Sequence, residues 1–177
     1  ALVRQFLTAG IGVLLLEYRG YGGNKGRPSE EGLYIDARSA MQFLGQQSLA
    51  AKHLVLYGES LGTGVAIKMA AEYPVCALIL QSPYTSLSAL ARYHYPWVFI
   101  SPRDKFNSLA LISFIKIPLL ILHGKKDEIV PFEQALKLYN QANEPKKMIA
   151  MDNKGHNNIW DNQFSLAIIR FIHSQCS

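Results

Sequence analysis

Three residues able to carry acyl transfer stand at suitable places in this chain: Ser60, Asp127 and His156. A serine hydroxyl is a poor nucleophile at neutral pH and needs an imidazole as base. The imidazole needs a carboxylate to fix its tautomer and stabilise the cation that forms. Base catalysis of this kind contributes about 10² to 10⁴ in rate. Ser60 lies in Gly58-Glu59-Ser60-Leu61-Gly62, after the apolar run Leu54 to Tyr57 and before a helix-like stretch, Thr63 to Glu72. A serine on a sharp strand-to-helix turn projects its hydroxyl clear of a sheet, and flanking glycines leave room for the close backbone approach. The Leu61 N–H then points where an oxyanion would form, at a helix start that favours negative charge.

The other titratable groups fit these roles less well. His53 precedes its strand and so lies at the wrong edge of a sheet, and His173 sits in a terminal helix. His123 ends a strand but is followed at once by Gly124, and it reads as a structural neighbour of the Asp127 loop. For the acid, Asp152 is the rival of Asp127; it shares a loop with His156, four residues away, and reads as loop-forming. Asp36, Asp104 and Asp161 have no comparable placement.

The elements that must position these groups alternate. A helix over residues 2–9 ended by Gly10, then apolar runs at 11–16, 54–57, 75–80, 118–122 and 147–151, read as five buried strands. Helices are expected from Ser29 as a cap through Leu44, over 63–72, over 132–140 and over 160–173, each with an apolar face. Such alternation implies an α/β fold, a mostly parallel sheet flanked by helices, with chemistry at the carboxyl ends of the strands. The glycine-rich stretch 17–28 contains neither G-x-G-x-x-G nor G-K-[ST] and reads as a turn-rich connection. Between residues 85 and 116 the alternation lapses in an aromatic-rich segment, a possible small cap over the site, with Tyr84, His94 and Trp97 as candidate substrate contacts.

With 177 residues, 49% of them apolar, the chain reads as a single domain over 1–177. Eighteen Lys and Arg against 13 Asp and Glu give a net charge of +5, but the cations are scattered, so no nucleic-acid partner is expected. No His or Cys pair has metal-ligand spacing, so neither a metal nor another cofactor is expected. Cys76 and Cys176 do not look like a disulfide framework and fit a reducing compartment. No run approaches the roughly 20 apolar residues that span a bilayer, and no signal peptide is apparent. The expected location is cytoplasmic or peripheral to the cytoplasmic membrane face, with membrane association only through a segment upstream of Ala1.

Tyr18-Arg19-Gly20-Tyr21-Gly22, Gly58 to Gly62, Gln81-Ser82-Pro83-Tyr84-Thr85-Ser86, His123-Gly124-x-x-Asp127-x-x-Val130-Pro131 and Gly155-His156-Asn157 together resemble the α/β-hydrolase superfamily. Within it they are most similar to the alpha/beta hydrolase domain-containing serine hydrolases, some of which are membrane-associated and remove acyl groups from lipidated proteins. The resemblance implies Ser60 as nucleophile, Asp127 as acid, His156 as base and the Leu61 N–H as one oxyanion donor. It also implies three strands ahead of the opening helix, the third carrying a His-Gly turn with the second oxyanion donor and lying between the runs at 11–16 and 54–57. Nothing in residues 1–10 matches it. The fold is therefore expected to be N-terminally incomplete, the chain being a fragment of a longer protein or a decayed copy. The missing donor would cost about 10² to 10³ in kcat.

The expected function is a serine hydrolase cleaving a carboxylic ester or thioester, small or lipid-like, through an acyl-enzyme. The alternatives are a serine peptidase of the same fold and a catalytically silent binding module.

Overall fold

A computed structural model describes residues 2–97 and 102–176. Its centre is a four-stranded parallel sheet of order β1-β2-β3-β4, with β1 Val55–Glu59, β2 Ala77–Gln81, β3 Leu119–Gly124 and β4 Lys146–Met151. The helices are α1 Leu2–Thr8, α2 Glu30–Gln46, α3 Leu61–Glu72, α4 Leu87–His94, α5 Ser108–Ile112, α6 Phe132–Gln141 and α7 Asn162–Gln175.

Every residue of β2 and β3 is buried, as expected of strands covered on both faces. Alternation along them sorts two cores. Leu78, Leu80, Leu119 and Ile121 face Ile67 of α3, Ile112 of α5 and Ala135 and Leu138 of α6. Ile79, Leu120 and Leu122 face Phe164, Ile168 and Ile172 of α7 and Phe6 of α1. A third cluster packs Leu33, Ala37 and Met41 of α2 onto Val65 and Met69 of α3, so α2 lies over α3.

Caps set the helix starts. Ser29 accepts from the Gly32 N–H at α2, and Asp161 from the Phe164 N–H at α7. Glu30 and Glu31 follow in the first turn of α2, where the dipole favours them. Arg19, from the glycine-rich loop, places its guanidinium Nη2 2.6 Å from Asp36 Oδ1 and its N–H 2.9 Å from Oδ2, fastening that loop to α2.

The structure corrects two expectations. Residues 11–16 form no strand and pair with no ladder; Leu14 and Leu15 are 48% and 75% exposed. Ile11 and Val13 pack against the core beside α1 and α7, but no described strand pairs with the run, and an apolar run reads the same whether or not a strand lies beside it. Cys76 and Cys176 form a disulfide across 100 residues with their Cα atoms 5.8 Å apart, joining the start of β2 to the end of α7. Within the segment 85–116, where the alternation lapses, α4 stands near the start and α5 carries Ile112 into the core. Residues 98–101, part of the aromatic stretch, lie outside the described residues.

Candidate active site

Ser60 occupies the turn between β1 and α3 with φ 49° and ψ −117°, a conformation that L residues rarely adopt. The surroundings hold it there. Its N–H donates to Gln81 O at 2.9 Å, continuing the β1 to β2 ladder, while its own carbonyl accepts from the Thr63 N–H at 3.0 Å and Thr63 Oγ1 at 2.6 Å. The buried Gln81 side chain braces the turn further, donating to Glu59 Oε1 at 2.9 Å and accepting from the Tyr57 hydroxyl.

The two flanking glycines are not equivalent. A Cβ on Gly58 would meet Gly62 O at 2.6 Å and Thr63 Cα at 2.7 Å, so no side chain fits without moving backbone. A Cβ on Gly62 would find only the Tyr18 hydroxyl, at 3.9 Å, an ordinary contact. Only the first glycine is required by the space around the turn.

The loop after β3 presents Asp127 and the loop after β4 presents His156. They are held together by backbone: the Lys125 N–H donates to Met151 O at 2.8 Å and the Lys126 N–H to Lys154 O at 2.9 Å. The approach is so close at Gly124 that an added Cβ would sit 2.3 Å from Lys154 O.

The side chains then meet in sequence. His156 Nδ1 lies 2.7 Å from Asp127 Oδ2, and His156 Nε2 lies 3.0 Å from Ser60 Oγ. A carboxylate only accepts, so Nδ1 donates and Nε2 is left to accept from the serine hydroxyl. Asp127 Oδ1 takes the N–H groups of Ile129 at 3.0 Å and Val130 at 2.7 Å. Burial alone would push the Asp127 carboxyl up, but hydrogen bonds from His123, His156 and the Val130 N–H outweigh it and hold the group well below the usual carboxylate range. The acid is thus ionised wherever the protein is folded near neutrality. Leu61 is the first residue of α3, so its N–H has no intrahelical partner and stands beside Ser60.

The remaining candidates separate. Asp152 is 75% exposed and pairs with Lys125 Nζ at 2.7 Å, away from His156. His94 donates from Nε2 to Ile129 O at 2.8 Å, drawing α4 against the Asp127 loop. Trp97 is exposed and packs edge-on against Tyr95. Tyr84 is not available to a substrate: it is 1% exposed, belongs to the core, and its hydroxyl donates to Leu61 O at 3.3 Å. It supports the turn from beneath. Sequence reading gave no role to Gln81, which braces the turn; His123 stands where it was expected, beside the Asp127 loop, with its fully buried ring touching Asp127.

Among the described residues no cluster of three or more His, Cys, Asp or Glu could hold a metal, and no helix is long and apolar enough to cross a membrane.

Comparison with known proteins gives concordant results. The family described as serine aminopeptidase, S33, matches residues 1–111. An uncharacterized protein of Mycobacterium tuberculosis (strain H37Rv) is 41% identical over 166 residues, covering 91% of this chain and 59% of that protein. A lysophosphatidylserine lipase of Danio rerio is 35% identical over 167 residues, covering 83% of this chain and 44% of the lipase. An esterase of Pyrococcus furiosus superposes with a TM-score of 0.82 at 19% identity, over 99% of this chain and 75% of the esterase, which shows a common fold. The chain thus spans about half the length of these curated relatives.

Proposed function

The chain belongs to the serine aminopeptidase S33 family and has the α/β-hydrolase fold, and from that premise we propose that the protein is a serine hydrolase cleaving a carboxylic ester or thioester. The observation that carries the reading is the continuous path from Asp127 Oδ2 through His156 to Ser60 Oγ, with both links at or below 3.0 Å.

In the proposed reaction Ser60 Oγ attacks the acyl carbon as its proton passes to His156 Nε2. The carbonyl oxygen becomes an oxyanion against the Leu61 N–H. The cation formed on His156 lies against the ionised Asp127, whose charge stabilises it. Collapse expels the alcohol or thiol, which takes the proton back from Nε2 and leaves an acyl-Ser60 ester. Water then repeats the steps, releasing the carboxylic acid and restoring the serine. The strained turn at Ser60 supports the same reading, since such a conformation holds a hydroxyl out of the sheet with little freedom.

A lipid-like acyl group is favoured by the lipase among the relatives and by the exposed Tyr93, Tyr95 and Trp97 beside the Asp127 loop. The peptidase reading has one observation of its own, the description of the matching family. A series of p-nitrophenyl esters of rising chain length, run beside aminoacyl p-nitroanilides, separates the two. The expected result is ester turnover that falls by at least about 10⁴ in Ser60→Ala. Unchanged ester turnover in that variant would reject Ser60 as nucleophile, and faster anilide turnover would favour the peptidase.

A further inference from the structure

We propose that His123 is a positioning residue for this site, donating behind Asp127 to the carboxylate oxygen that serves His156 and thereby setting the basicity of that imidazole. The proposal rests on reading Ser60, Asp127 and His156 as the reacting set.

His123 Nε2 lies 2.8 Å from Val130 O and 3.3 Å from Asp127 Oδ2. Neither oxygen can donate, so Nε2 carries the hydrogen and shares it between them. The ring is fully buried and packs edge-on against Phe132 at 5.6 Å. Its other nitrogen, Nδ1, is buried with no hydrogen-bond partner. A proton placed there would be a buried donor without an acceptor, so the Nε2–H tautomer is the one this site accommodates.

One ring therefore does two things. Through Val130 O it closes the turn that presents Asp127, and through Oδ2 it completes a set of four donors on one carboxylate. The Ile129 and Val130 N–H groups fill Oδ1, while Oδ2 has His156 Nδ1 at 2.7 Å and His123 Nε2 at 3.3 Å. The spacing His123, Asp127, Val130 brings all three to one end of β3.

The groups facing this cluster are few. His123 is opposed by Ala150 on β4 in the sheet register and by Phe132 at the start of α6, neither of them charged. Asp127 meets His123 and His156, and His156 meets Asp127 and Ser60. The nearby cations Lys125 and Lys154 are paired with Asp152 and Asp161. Removing the His123 donor leaves more of the negative charge on Oδ2 to stabilise protonated His156, so the imidazole becomes harder to deprotonate.

The test is the pH dependence of kcat/KM on an acyl ester for wild type, His123→Leu and His123→Gln, with Ser60→Ala as control. Leucine fills similar space without a donor, whereas the glutamine amide N–H can reach the same two acceptors. The expected result is an acid limb about half a pH unit higher in the leucine variant, with kcat about tenfold lower and KM unchanged. Glutamine should keep the limb within about 0.2 of wild type and kcat within about threefold. A stationary or lowered limb in the leucine variant, or a glutamine variant that behaves like leucine, overturns the proposal. ¹⁵N-histidine NMR of the wild-type protein provides a readout that needs no folded variant: an Nε2–H tautomer at His123 supports the proposal, and an Nδ1–H tautomer overturns it. Turnover that does not depend on Ser60 would instead reject the hydrolase reading itself.

Discussion

The two sides of β1 differ sharply. On the inner side, toward β2, the strand is laddered from Val55 to Glu59, the ladder continues through the Ser60 N–H, and Gln81 adds side-chain bonds. On the outer side no described strand pairs with it, and the apolar run at 11–16 lies largely exposed. The position of every group proposed to react is set by β1, β3, β4 and the loops that follow them. Site geometry and sheet completeness are therefore separable properties here: the first is built from inner contacts, and the second concerns the outer flank.

That separation can be broken most forcefully at Gly124. Gly124→Ala would press a Cβ on Lys154 O and part the Asp127 and His156 loops. A displacement of about 1 Å costs about 10² in rate, so kcat should fall by at least that factor with KM little changed. Near-normal turnover would mean that the two loops do not hold the reacting groups in place.

The turn itself offers a paired comparison. Gly58→Ala meets backbone on two sides and should cost about 3 kcal/mol, whereas Gly62→Ala meets open space and should stay within about 1 kcal/mol. Denaturant melts of both variants measure the difference; equal losses would show that the second glycine is constrained after all.

Asp127 gives the inner region an acid sensitivity. Its folded carboxyl lies below the ordinary value of about 3.9 for an unfolded aspartate, so its contribution is complete above about pH 5 and is lost as pH falls through 3.9 toward the folded value. Wild type should therefore lose more stability between pH 6 and pH 3 than Asp127→Asn does. Parallel losses would contradict the bonding seen around that carboxylate.

The smallest effect belongs to the outer flank. Leu15→Gln should change stability by no more than about 0.5 kcal/mol and leave turnover unaltered. A loss above about 2 kcal/mol would show that Leu15 is covered.

The parts legible in the sequence were those fixed by local order. Four of the five apolar runs became strands because helix-forming stretches between them supply cover on both faces. Ser60, Asp127 and His156 could be singled out because each follows such a run, and the structure brings them within hydrogen-bonding distance. Distant contacts that no strand-end position marks were not legible. The pairing of Cys76 with Cys176 joins positions 100 residues apart, and nothing in their spacing announces it. Tyr84 in a polar-looking turn gave no sign that its ring lies beneath α3, and Gln81 none that it would brace the elbow. The run at 11–16 misled because apolarity records what a segment needs, while pairing depends on which neighbours are present.

The central claim is that Ser60 is a nucleophile activated through His156 and Asp127. It is tested most directly by treating the protein with a fluorophosphonate and locating the adduct by peptide mass spectrometry. The account predicts one phosphonylated residue, Ser60, with labelling lost in Ser60→Ala and slowed by at least about 10³ in His156→Ala. An unlabelled Ser60, or labelling that proceeds equally fast without His156, would contradict it.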